Sequence, residues 1–194
     1  SFITFLKTAG GTVYAGSASG LYRFNRETSS FRHIENVVQD AFVHVLYEDS
    51  KGVVWVGTYG GGLYKYDASS ERCEQVLSDS TDYGNLENEY ITSIFEDKDR
   101  NIWFTTEGSG FGYINAETGG IRMFLPGRDV EFAIFCASLQ DSYGHIWITS
   151  TRGLLRYDPV TDTYTVYTRD NGLLGNTFSY NSAYLDKNGR MYFG

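Results

Sequence analysis

The chain has 194 residues, enough for one domain with a sizeable core, and carries a formal net charge of −8. That charge argues against a nucleic-acid backbone or an anionic membrane surface as partner. With 16 Tyr, 13 Phe and 22 Gly but only 2 Pro, the composition suits an all-β repeat better than a helical bundle. No apolar run approaches the roughly 20 residues of a membrane-spanning helix.

In chain order, one segment recurs. It reads TVYAGSASGLYRFN from Thr12, VVWVGTYGGGLYKYD from Val53, NIWFTTEGSGFGYIN from Asn101 and HIWITSTRGLLRYD from His145, then RMYFG from Arg190. Its aromatic anchors Tyr14, Trp55, Trp103, Trp147 and Tyr192 are spaced 41, 48, 44 and 45 residues apart. A period near 45 residues, built of short strands and turns, points to β-propeller blades. The repeat predicts an all-β fold with four four-stranded blades over 2–34, 42–77, 90–124 and 132–167. Half of a fifth blade is expected over 178–194.

Each copy follows one template. A first strand alternates apolar residues, at Phe42–Glu48, Tyr90–Glu96, Ile134–Gln140 and Ser179–Leu185. A turn opening on Asp follows, at Asp49, Asp97, Asp141 and Asp186; three residues later stands Gly, except at Arg100, where a different or strained turn is expected. The second strand carries the anchor and then small residues, and the third ends on Asn25, Asp67, Asn115 or Asp158. The fourth is short and polar, as suits an outer edge, at Phe31–Ile34, Arg72–Leu77, Gly120–Phe124 and Thr163–Tyr167. The links Ser78–Glu89 and Thr168–Thr177 are the long polar ones.

Candidate sites are sparse. His33, His44 and His145 have no partner at metal spacing, and Asp97-x-Asp99-x-Asn101 lacks the Gly and distal Glu of a calcium loop. No cofactor, metal or catalytic residue is therefore expected. The repeated Asp residues read as turn formers and the Trp anchors as core. Cys73 and Cys136 are expected to be free thiols. His44, Thr92, Cys136 and Asn181 occupy one column of otherwise apolar first strands and are expected to line a central channel. For a small ligand, the loop residues Tyr59, Tyr83, Asn85, Asn88, Tyr143 and Arg152 offer stacking and hydrogen bonds.

The stretch EDSKGVVWVGTYGGGLYKYD, Glu48 to Asp67, resembles the two-component regulator propeller repeat. Leu174-Gly175-Asn176-Thr177-Phe178 and the run Asp158 to Leu173 are similar to the same family. The resemblance implies the extracytoplasmic, periplasmic sensor region of a Bacteroidetes hybrid two-component system (sensor histidine kinase/response regulator). It further implies a fragment of a larger, seven-bladed propeller that responds to glycan-derived oligosaccharides. Self-association is expected because a partial ring leaves blade flanks uncovered. Two alternatives are a protein-interaction or dimerisation scaffold and an enzyme similar to the streptogramin lyases, for which no His/Glu cluster is legible.

Overall fold

The structure is a computed structural model and describes residues 1–35, 41–77, 86, 89–124 and 133–194. It is all-β, with four sheets of four antiparallel strands and a two-stranded sheet. The blades are β1–β4 (Phe2–Lys7, Val13–Ser17, Gly20–Asn25, Ser30–His33) and β5–β8 (Val43–Glu48, Val54–Thr58, Leu63–Asp67, Arg72–Gln75). They continue as β9–β12 (Ile91–Glu96, Ile102–Thr106, Phe111–Ile114, Ile121–Phe124) and β13–β16 (Phe135–Gln140, Ile146–Ser150, Gly153–Asp158, Thr163–Tyr167). The last sheet is β17 (Ala183–Leu185) with β18 (Met191–Phe193). Within every blade the strands lie in sequence order, as tight hairpins dictate. Among the described residues no helix is long and apolar enough to cross a membrane.

The chain divides into two compact units, residues 1–91 and 92–194. In the first, the two blades share a core of Tyr14, Leu21, Ile34, Val43, Leu46, Val54, Val56 and Tyr66. The second is rich in aromatics, with Trp103 between Phe95, Phe111, Tyr113, Phe124 and Tyr157 at ring-centroid distances of 4.8–6.5 Å. Both cysteines are free thiols.

The recurring Asp is explained by what its two oxygens do. Oδ1 of Asp49 accepts the backbone N–H groups of Lys51 and Val53, each at 2.9 Å, which closes the turn. Oδ2 accepts the indole Nε1–H of Trp55 at 2.8 Å. Asp97 does the same for Asp99, Asn101 and Trp103, and Asp141 for Tyr143, His145 and Trp147. The spacing of six residues between Asp and Trp is therefore one device, in which a single carboxylate shapes the hairpin and satisfies an indole donor. Asp186 keeps the turn half, bonding the amides of Asn188 and Arg190, but the residue six places on is Tyr192, which has no indole N–H to donate. In the first blade Thr8 holds the Asp position; its Oγ1 accepts from the amide of Thr12 at 3.0 Å. Trp55 and Trp103 are buried, whereas Trp147 is only half-buried, so the anchors are not equivalent core residues.

Arg100 does not produce a different turn. It stands at φ 70°, beside φ 80°, 95° and 79° for Gly52, Gly144 and Gly189 at the same position. The backbone is preserved, and an arginine is held in the left-handed region where its Cβ crowds the carbonyl. Arg100→Gly is expected to raise stability by about 0.5–1 kcal/mol, the strain relieved less the entropy of the freer unfolded glycine. The ion pair with Glu96 that it removes is long, at 3.7 Å, and its guanidinium is 57% exposed although Glu96 is only 10% exposed, so its loss offsets only part of that gain. A urea melt checks this; a loss of stability would mean that Arg100 is held by contacts stronger than the strain.

Other differences from the sequence template have local causes. The fourth strands are shorter than expected: Arg72–Gln75 stops before Val76 and Leu77, and Ile121–Phe124 excludes Gly120. In the last sheet the first strand begins at Ala183 rather than Ser179, because Asn181 lies at φ 48° and turns the chain. Tyr66, fully buried, leaves its hydroxyl without a hydrogen-bond partner, and burial pushes its pKa up to about 12. Tyr66→Phe removes that unsatisfied donor and is expected to be neutral or stabilising by up to about 1 kcal/mol. Chemical denaturation reads this, and a loss above about 1 kcal/mol would show that the hydroxyl is bonded in solution.

Candidate functional site

Each second-to-third strand hairpin is tied by a hydroxyl at the end of the second strand. Thr58 Oγ1 donates to Gly62 O at 2.8 Å and accepts from Gly61 N at 3.0 Å. Thr106 with Gly110 and Ser109, and Ser150 with Gly153 and Arg152, repeat the arrangement. The residue after the hydroxyl therefore projects from a rigid tip. In the second blade that residue is Tyr59.

Tyr59 is set among other aromatics by backbone bonds on both sides. Its amide donates to Phe42 O at 2.9 Å, and it forms a bridge with Tyr90. Gly62 N donates to Glu89 O at 3.0 Å. The rings of Tyr59 and Tyr90 lie 4.1 Å apart between centroids, with Phe42 at 5.7 Å and the His44 ring at 6.3 Å from Tyr59. Gly60, at φ 91°, makes this possible: a Cβ there would stand 3.0 Å from the Tyr90 ring. Tyr59 is 45% and Tyr90 39% exposed, so the platform is accessible although its members are packed. Such a surface suits a flat, partly apolar ligand face with hydroxyl groups at its edge. Phe42 and Tyr90 were not among the residues singled out from sequence. Their signal was an aromatic immediately before a first strand, meaningful only once that strand is seen beside the preceding hairpin tip.

The other sequence candidates do not gather here. Tyr83, Asn85 and Asn88 lie outside the described residues. Tyr143 and Arg152 flank opposite ends of β14, Tyr143 in the Asp141 turn and Arg152 in the Ser150 hairpin, so one small ligand cannot take both. Tyr143 is 84% exposed and its ring lies 6.3 Å from that of His145.

The polar column has a definite bonding pattern. The first-strand registers slip at Ile3, His44 and Cys136, placing each of these in a β-bulge. His44 Nδ1 lies 3.2 Å from Ile91 O, Thr92 Oγ1 donates to Phe135 O at 2.5 Å, and Cys136 Sγ donates to Phe178 O at 3.3 Å. Each side chain thus meets the carbonyl of the next first strand or its continuation. Burial, reinforced by the charge of Glu107, pushes the Cys136 thiol up to about 11 and keeps it a protonated donor. Asn181 does not continue the series. It contributes its backbone N–H, 2.8 Å from Cys136 O, from a turn rather than a strand. Behind the column in the second unit, Thr92, Ser93, Thr105 and Ser138 form a buried hydroxyl cluster with links of 2.7–3.3 Å.

Among the described residues no group of three His, Cys, Asp or Glu could hold a metal ion. His145 Nδ1 lies 3.0 Å from Asp141 Oδ2, but that carboxylate is already engaged by the Trp147 indole. Burial raises the Asp141 pKa, yet the bonds from Trp147, His145 and the turn amides outweigh it and hold the carboxyl below its usual range. The pair is a turn anchor with an added histidine.

Comparison with known proteins agrees with this architecture. The family model "Two component regulator propeller" matches residues 38–60 and 85–108. Histidine kinase P4 of Formosa agariphila is 30% identical over 186 residues, covering 91% of this chain but 13% of that protein. The chain thus spans about an eighth of that curated relative. Among solved structures, the extracellular domain assigned to a hybrid two-component system of B. thetaiotaomicron matches with TM-score 0.80 and 22% identity, over 99% of this chain and 25% of that one. Virginiamycin B lyase from Staphylococcus aureus matches with TM-score 0.74 and 17% identity, over 97% of this chain and 61% of that one. At these identities the two structures share the fold alone. The hairpin and turn devices recur from blade to blade, and the family model falls on the Thr58 and Thr106 hairpin strands: residues 38–60 and 85–108 of this chain match the two-component regulator propeller repeat.

Proposed function

We propose that this chain is part of the ligand-sensing propeller region of a hybrid two-component system, placed outside the cytoplasm, and that it responds to glycan-derived oligosaccharides. The observation that carries this reading is the exposed Tyr59–Tyr90 platform, held by main-chain bonds to Phe42 and Glu89 beside the hairpin tip. Aromatic faces of that kind accept the apolar face of a sugar ring, and a fixed backbone lowers the ordering cost of binding. The extracellular assignment of the B. thetaiotaomicron relative and the kinase name of the F. agariphila relative support the setting.

The test is a titration with malto-, xylo- and arabino-oligosaccharides followed by calorimetry. Saturable binding is expected, with affinity falling at least about tenfold in Tyr59→Ala and in Tyr90→Ala, the loss of one stacking ring in a small interface. Thermal melts of both variants should show a modest fall, since the two rings pack against each other while 45% and 39% exposed, and binding is compared below the lower melting temperature. Binding that neither substitution changes would place the ligand elsewhere, and no binding across the panel would remove the glycan reading. Substrate turnover in the same samples would instead support a lyase-like activity.

A second reading, self-association, is favoured by Phe2, Ile3 and Phe5 of β1, which are exposed at 38%, 42% and 60%. Sedimentation over a concentration series separates it from ligand sensing. A monomer throughout would exclude it.

A further inference from the structure

An acidic chain carries one local cluster of arginines. An open groove of about 570 Å³ in the first unit is lined by Arg23, Arg26 and Arg32, with Glu27 as its single carboxylate. Arg23 on β3 and Arg32 on β4 are direct cross-strand partners, so both side chains stand on one face of the sheet. Like charges in that relation repel. The equivalent pairs in the other blades avoid this: Lys65 faces Glu74, Tyr113 faces Arg122, and Arg156 faces Thr165.

The third guanidinium is positioned. Arg26 Nη2 donates to Gly11 O at 3.1 Å, which fixes the head group at the rim and leaves its other N–H groups for a ligand. Arg32 reaches Glu71 at 3.6 Å, but both partners are well exposed and such a pair is weak. Arg23 is half-buried and makes no ion pair among the described residues. A partly desolvated guanidinium facing another across a strand pair has only the exposed Glu71 carboxylate, on its partner Arg32, to offset it among the described residues.

We infer that this groove is a binding site for an oxyanion group, a carboxylate or a sulfate carried by a ligand, held by Arg23 and Arg32 with Arg26 at the rim. The planar fork of arginine accepts either group through two parallel N–H···O bonds. The site is independent of the aromatic platform and stands whether or not that platform binds sugars.

The experiment is an NMR titration of the arginine Nε–H signals with inorganic sulfate, with a galacturonate trisaccharide and with neutral maltotriose, at low and at moderate salt. Saturable shifts are expected for Arg23, Arg26 and Arg32 with at least one of the two anions, weakening as salt rises. No shift is expected with maltotriose. Response to sulfate alone marks a tetrahedral oxyanion site, and response to galacturonate alone a carboxylate site. Arg23→Gln and Arg32→Gln should each lower the affinity at least tenfold while leaving the melting temperature unchanged or raised, because repulsion is relieved. The inference is overturned if neither anion gives saturable shifts, if Arg156 and Arg190 respond equally, if the variants bind unchanged, or if Arg23→Gln lowers the melting temperature.

Discussion

Replacing Trp103 by Ala is expected to lower the unfolding free energy by about 3–5 kcal/mol, the usual cost of removing a large buried aromatic. Trp103 is 3% exposed and is ringed by Phe95, Phe111, Tyr113, Phe124 and Tyr157, so little can collapse into the space it leaves. Its indole N–H is held by Asp97 Oδ2 at 2.7 Å, and Asp97 also receives the turn amides and the Asn101 side chain. Asp97→Ala should therefore cost about 1–3 kcal/mol by stranding a buried donor and opening the turn. The Asp97→Ala/Trp103→Phe double variant should cost less than the two single changes added, since phenylalanine leaves no donor to strand. Urea melts followed by the emission of Trp55 and Trp147, together with far-ultraviolet dichroism, read all three. A Trp103→Ala loss below about 1 kcal/mol would show the ring to be exposed in solution, and strict additivity would show that the bond to Asp97 does not stabilise the fold.

Gly57→Thr is expected to cost about 3 kcal/mol or more, at the upper end for forcing atoms into a packed core. A Cβ at Gly57 would collide with Val45 Cγ1, its register partner, and would stand 2.7 Å from Ile91 Cγ2. Threonine is nevertheless what the other unit uses at that place, as Thr105 and Thr149. The difference lies in the facing residue. Thr105 bonds Ser93 at 2.7 Å, and Thr149 pairs with Ala137, whereas Gly57 pairs with Val45 and Gly16 with Thr4. Large on one strand goes with small on the other, which keeps the volume between paired strands constant. Val45→Ala in the Gly57→Thr background should recover about half of the loss, the remainder being the contact with Ile91. The pair thus predicts a coupling of opposite sign to the single effects. A Gly57→Thr cost under about 1 kcal/mol, or no recovery in the double variant, would contradict the packing argument.

What was legible in the sequence follows from the range of the interactions that encode it. The Asp-to-Trp spacing lies within one hairpin: the carboxylate, the turn amides and the indole are at most six residues apart, so their pattern is carried by local residues and repeats with the blade. The hydroxyl that caps each second strand and the Asn or Asp that ends each third strand act over two to four residues. These are why the blades were readable, and why Arg100 stood out as a departure, although its backbone proves to be the same as that of the glycines it replaces.

The candidate sites depend on neighbours far apart in the chain. Tyr59 meets Tyr90 across the start of the next first strand; Arg23 meets Arg32 and Arg26 meets Gly11 through a register that alternation alone does not set. The bulges at Ile3, His44 and Cys136 add one residue to each of these first strands and change which face the following side chains occupy. A one-residue shift in a pattern of period two exchanges inside for outside without altering the composition. The column of His44, Thr92 and Cys136 was visible as a list of small and polar residues, but the carbonyls they meet were not. Asn181 fell into that column by counting back from Asp186, and the turn at Asn181 carries it off the strand. Chain-local chemistry determined the blade; the tertiary structure decided which aromatic and charged side chains share a surface, because bulge phase and strand neighbours are set by packing rather than by spacing.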